Sequence, residues 1–138
     1  MLTAPATLFT ALVTILAVIL YVVAIGRVGA LRERHNIAAP SVSGHPQFER
    51  AYRVQMNTLE SLPVFLPVLW LAAFYFRQIG YLVPAVGLLW IVGRIIYMQA
   101  YMADPASRNL GFGIAAFSLI VLLILAIVGI VITWMSLG

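Results

Sequence analysis

Residues 109–138 read NLGFGIAAFSLIVLLILAIVGIVITWMSLG, and no position in that run carries a charged side chain. A helix crossing the hydrocarbon core of a bilayer needs about 20 consecutive apolar residues, so the run is a membrane span with residues to spare. Working back from it, stretches 1–26, 61–76 and 78–93 are also free of charge. Extending each run to its nearest helix breaker predicts four helices, near 5–33, 46–76, 81–103 and 105–136, joined by short connections. The expected fold is all-α: an integral membrane four-helix bundle forming one domain over residues 1–138. The first helix opens at Pro5 without the positively charged flank of a cleavable signal peptide, and is expected to be retained.

Composition closes off other classes. Of 138 residues, 64% are apolar and only 9% charged, against about 25% charged in soluble domains. There is no cysteine, which excludes disulfides, cysteine nucleophiles and thiolate metal clusters. His35 and His45 stand ten apart in a Pro- and Gly-containing stretch, poor spacing for a helical metal pair, so no metal site is expected. The net charge of +4 sits on no solvated basic domain that could follow a phosphate backbone, and no nucleic-acid partner is expected.

Prolines and charges refine the layout. Pro46, Pro84 and Pro105 suit first helical turns, and Asp104 reads as an N-cap. Pro63 and Pro67 fall inside the second span, where a bend is expected. Arg27, Arg32, Arg34, Arg50, Arg53, Arg94 and Arg108 lie on or near the end carrying the first and third loops, with Arg77 alone opposite. The positive-inside rule then puts loops one and three in the cytoplasm and both termini on the other side. Tyr75, Tyr81 and Trp134 read as an outer interfacial belt, and Trp70 as packing. Gly26, Gly29 and Ala30, with Gly111, Gly113 and Ala115, would permit close helix approach.

Two polar stripes interrupt the apolar helices. Glu49, Arg53, Asn57 and Glu60 fall within about an 80° arc at 100° per residue. Arg94, Tyr97, Tyr101 and Asp104 share one face of the third helix. An ionisable group in hydrocarbon costs from about 3 to more than 10 kcal/mol, so both stripes must face protein or a wet cleft. Arg53 or Arg94 could pair with Glu49 or Glu60 and simply fasten helices together. Yet there are eight arginines and four acids, and the surplus suits an anionic ligand. Arg108 lies about four residues into the fourth predicted helix, where the dipole disfavours a cation by about 0.3–1 kcal/mol. An anion held there would offset that penalty.

The run Phe48-Glu49-Arg50-Ala51-Tyr52-Arg53-Val54-Gln55-Met56-Asn57-Thr58-Leu59-Glu60, followed by Pro63-Val64-Phe65-Leu66, has a partner in Gly93-Arg94-Ile95-Ile96-Tyr97-Met98-Gln99-Ala100-Tyr101 and then Arg108. Together they resemble the membrane-associated proteins in eicosanoid and glutathione metabolism, above all the leukotriene C synthase and microsomal glutathione transferase branches. The resemblance implies a homotrimer with glutathione bound between neighbouring subunits near the cytoplasmic face. It implies glutathione ligands at Arg32, Arg53, Gln55, Asn57, Glu60, Tyr97 and Tyr101, and a catalytic arginine at Arg108 holding the thiolate. The second substrate would be a lipophilic electrophile or a lipid hydroperoxide arriving through the membrane lipid.

Departures narrow the branch. Glu33 follows Arg32 where leukotriene C synthases have a second arginine, and Ser61 follows Glu60 where they have tyrosine. His45 and Asn109 depart from the prostaglandin E synthase pattern. A general transferase or peroxidase is what remains. The alternatives are a non-catalytic, lipid-presenting member of the same family and a small multidrug transporter. A transporter would need a membrane-embedded acid in the first helix, and none precedes Glu33.

Overall fold

A computed structural model describes residues 4–138, all helix, turn or coil. Helix α1 spans Ala4–Arg34, α2 Pro46–Tyr75, α3 Leu82–Ala103 and α4 Asn109–Met135. A 3-10 turn at Pro105–Arg108 leads into α4. By length and composition all four spans can cross a membrane, the turn and α4 together forming one of them. The first three helices end within a residue of their expected limits. The fourth does not start as expected: Arg108 is the last residue of a 3-10 turn, not a residue one turn inside an α-helix. Pro105 has no N–H to give, Asp104 Oδ1 accepts from the N–H of Ala106 (3.1 Å), and the N–H of Ser107 donates to Asp104 O (3.0 Å). These contacts tighten the chain before the α ladder begins.

Start signals elsewhere are local. At α2, His45 is extended and its Nδ1 accepts from the N–H of Gln47 (3.2 Å), with Pro46 next in line. The His45 ring stacks on His35 at 3.6 Å. Helix α2 continues through Pro63 and Pro67 without interruption.

The helices alternate in direction, so the start of α1 meets the start of α3, where Phe9 packs edge-on to Tyr81. The core is centred on Phe65 of α2 stacked against Trp90 of α3 at 3.8 Å, with Val13, Leu69 and Leu122 closing around them. Buried hydroxyls find partners four residues back: Thr10 donates to Ala6 O, Thr58 to Val54 O and Ser118 to Ile114 O. Without water to take those protons, such a bond is the available solution. Trp70, read as packing alone, also donates its indole N–H to Thr14 Oγ1 (3.1 Å) and so links α2 to α1. Outside, α4 exposes Phe117, Ile120, Ile124, Ile127 and Val131, a surface that lipid solvates and water does not.

The position of the site depends on one crossing. A Cβ on Gly93 would lie 2.7 Å from Ala115 N, and a Cβ on Gly111 would overlap the backbone of Tyr97. Helices α3 and α4 therefore touch main chain to main chain, as small residues allow. Gly26, Gly29 and Gly113, which carry the same sequence signal, have nothing within 4 Å of such a Cβ. Backbone cannot move aside as a side chain can. Gly111→Ala is expected to cost about 1–3 kcal/mol of stability, read as a lowered thermal midpoint in detergent, whereas Gly113→Ala is expected to leave the midpoint unchanged or slightly raised.

Candidate functional site

Arg53, Met56, Asn57 and Glu60 of α2, Tyr97 and Tyr101 of α3, and Arg108 from the 3-10 turn line one cleft of about 340 Å³. Spacings of four and three keep the α2 residues on one face. The main-chain contact at Gly111 holds the Tyr97 backbone against the start of α4. The Tyr97 and Tyr101 rings lie 5.6 Å apart, and the Arg108 guanidinium sits 5.7 Å from the Tyr101 ring centroid. Six of the eight residues expected in the site thus converge. Met56 is the lining residue that the polar pattern passes over; it lies three residues after Arg53 and four before Glu60.

Two expected ligands stand elsewhere in the chain. Gln55 is about 200° round α2 from both Arg53 and Asn57 and does not line the cleft. Arg32 donates to Ser41 O (2.7 Å) and lies over the Phe48 ring at 4.8 Å. The two stripes are also shorter than the sequence pattern suggests. Glu49 accepts from the N–H of Gly44 (3.1 Å), and Asp104 is occupied with its turn.

Arg94 departs most from its expected place. It is only 3% exposed and lies under the cleft, donating from Nη1 to Asn57 Oδ1 and from Nη2 to Thr58 Oγ1, both at 2.8 Å. Its guanidinium also lies 4.4 Å from the Tyr97 ring centroid. It does fasten α3 to α2, but through neutral oxygens rather than the carboxylates the sequence offered. With Asn57 Oδ1 accepting from below, the amide NH₂ of Asn57 is left to donate elsewhere. Arg50 performs a similar task at the helix end, donating to Met102 O (3.1 Å) and Ala103 O (2.9 Å).

Electrostatically, the cleft holds two guanidinium groups and one carboxylate. Among the described residues no arginine lies within 4 Å of an acid in a salt bridge, so Arg53 and Arg108 are not consumed internally. Such a set suits a ligand with more than one anionic group and one cationic group. Next to it, sharing Asn57 and Glu60, a second recess of about 260 Å³ is walled by Trp90, Phe112, Ala116 and Leu119, with Ser61 and Arg94 at its polar side. Polar and apolar spaces meet at Glu60.

The sequence model of the MAPEG family matches residues 10–128. The chain belongs to that family. It is 38% identical over 123 residues to an uncharacterized protein of Synechocystis, covering 89% of this chain and 88% of that one. It is 40% identical over 104 residues to microsomal glutathione S-transferase 2 of Mus musculus, covering 75% and 69% of the two chains. It is 34% identical over 119 residues to leukotriene C4 synthase of Cavia porcellus, covering 86% and 78%. Four membrane-competent helices and MAPEG membership make this an integral, multi-pass membrane protein.

In this MAPEG chain the buried support of the cleft can be tested apart from its lining. Thr58 is fully buried and does not line the cleft, and valine matches its shape. Thr58→Val removes one charge-assisted hydrogen bond from Arg94 and is expected to cost about 1.5–3 kcal/mol of stability, measured by thermal unfolding in detergent.

Proposed function

We propose that the chain is a membrane-bound glutathione transferase with peroxidase capability, acting as one domain and assembled as a homotrimer. The carrying observation is the convergence of Arg53, Asn57, Glu60, Tyr97, Tyr101 and Arg108 on one cleft whose two guanidinium groups outnumber its single carboxylate and are salt-bridged to no acid among the described residues. Relatives named as a glutathione S-transferase and a leukotriene C4 synthase support the same reading. Glutathione has two carboxylates, one ammonium and a thiol. Arg53 answers a carboxylate, Glu60 the ammonium, and the Asn57 amide and tyrosine hydroxyls the peptide groups.

Its reactive form carries a third negative centre. A thiol of pKa about 8.5 is only a few per cent ionised at pH 7, and lowering it by two units takes about 2.7 kcal/mol. Arg108, at the junction of the 3-10 turn and α4, has the position to supply this: its guanidinium and the N–H groups at the start of α4 both favour an anion. The thiol proton leaves to water. Sulfur then attacks an electrophilic carbon, forming the thioether as the leaving group departs with the bonding pair. With a hydroperoxide, sulfur takes the distal oxygen, the O–O bond breaks, and the alcohol leaves protonated. A second glutathione then converts the sulfenic acid to disulfide and water. The apolar wall of the recess beside Glu60, formed by Trp90, Phe112 and Leu119, offers the acceptor a route from lipid.

Three negative centres exceed the two cations of one cleft. Arg32 and Gln55, both outside it, are therefore assigned to the site of a neighbouring subunit in the trimer. The arginine-rich end is assigned to the cytoplasm.

Titration of purified protein with glutathione is expected to produce the ultraviolet thiolate band. Arg108→Ala is expected to lose the band while binding weakens only a few-fold; full thiolate in the variant refutes the role. Glu60→Gln is expected to weaken binding by about ten-fold, roughly 1.4 kcal/mol. A lipid-presenting relative without chemistry gives no thiolate in wild type. Co-expression of Arg32→Ala with Arg108→Ala chains tests the shared site: mixed assemblies are expected to regain part of the thiolate signal that either variant lacks alone, and no recovery refutes sharing.

A further inference from the structure

A separate recess of about 540 Å³ lies between α1, the start of α2 and the end of α3, at the arginine-rich end of the bundle. Arg27 and Arg34 line it, seven residues apart and so within about 20° on one face of α1. Gln47 and Gln99 add amide donors, and Leu31 and Met102 form apolar walls. No acid lines it. The four other arginines outside the cleft are all engaged: Arg32 with loop one, Arg50 with the end of α3, Arg94 inside the bundle, and Arg77 with Phe74 O. Neither Arg27 nor Arg34 has a protein partner among the described residues. Towards the membrane centre, the same face of α1 exposes Val23, Ile19 and Leu16.

We propose that this recess binds the phosphate headgroup of an anionic membrane phospholipid, with an acyl chain along Val23, Ile19 and Leu16. Two forked guanidinium groups and two amides fit phosphate oxygens. A basic recess between helix ends at the membrane surface is where such headgroups are held. The selectivity follows from what is missing in the lining: a choline ammonium finds no carboxylate here, unlike the ammonium of a ligand beside Glu60. The site is distinct from the cleft and does not depend on the glutathione reading.

The test is native mass spectrometry of the full-length protein in neutral detergent, offered phosphatidylglycerol and phosphatidylcholine of matched chains. Wild type is expected to retain phosphatidylglycerol at least ten-fold in preference. Arg27→Gln with Arg34→Gln is expected to abolish the preference, Arg27→Lys with Arg34→Lys, which keeps the charge and loses the fork, to lower it in part, and Arg77→Gln to leave it intact. Arg34→Gln alone, in the exposed last turn of α1, is expected to give an intermediate loss and keeps the test open if the double variant does not fold. Equal retention of both lipids by wild type, or an undiminished preference in the glutamine variants, overturns the proposal. Displacement of phosphatidylglycerol by millimolar inorganic phosphate makes the ligand a soluble anion and overturns the lipid assignment.

Discussion

One deeply buried guanidinium organises this bundle. Arg94 lies on a helix able to cross a membrane and is almost wholly enclosed, so its charge must be met by dipoles from the protein. Asn57 and Thr58 meet its two terminal nitrogens from one turn of α2, while Nε has no hydrogen-bond partner. Once they do, the register of α2 against α3 is set. Arg53 and Glu60 then fall on the same side as Tyr97 and Tyr101. The main-chain contact between α3 and α4 adds the third wall by bringing the Arg108 turn to the same place. The cleft is thus a by-product of anchoring one buried cation and packing two glycines.

This arrangement also divides the arginines by task. Arg94 and Arg50 hold helices together through neutral oxygens, and Arg32 secures loop one. Arg53 and Arg108 stay open to the cleft. A carboxylate partner for Arg94 would have left a neutral pair underneath and little reason for Asn57 to be oriented. Neutral acceptors instead leave the positive charge in place just below the binding space, where low polarity extends its reach.

Much of this was legible in the amino-acid sequence, for reasons that also explain what was not. Spans are long apolar runs, and the hydrocarbon core imposes their length, so three helices ended within a residue of expectation. The α2 face was legible because Arg53, Asn57 and Glu60 recur at helical spacing among apolar neighbours. Periodicity could not tell that Arg94 points beneath that face while Tyr97, three residues on, borders it; both satisfy the same spacing. Glu49 and Asp104 were read into stripes, although each sits where a loop or turn offers nearer N–H groups. Gln55 and Arg32 entered through family resemblance alone, and α2 geometry sets Gln55 opposite the cleft. Glycines are equally ambiguous: Gly111 and Gly113 look alike in sequence, and only the crossing separates them.

The four residues from Pro105 to Arg108 act as a ruler. A 3-10 segment advances by about 120° per residue where an α-helix advances by about 100°, so every residue there sets the compass bearing of the guanidinium that ends it. The ring of Pro105, the side chain of Asp104 and the Ser107 hydroxyl, which donates to Asp104 O and Ala100 O, keep its winding tight. Its length is fixed as well: one residue more or fewer would swing Arg108 about a third of a turn away from Tyr101, leaving every helix intact and the cleft without its wall.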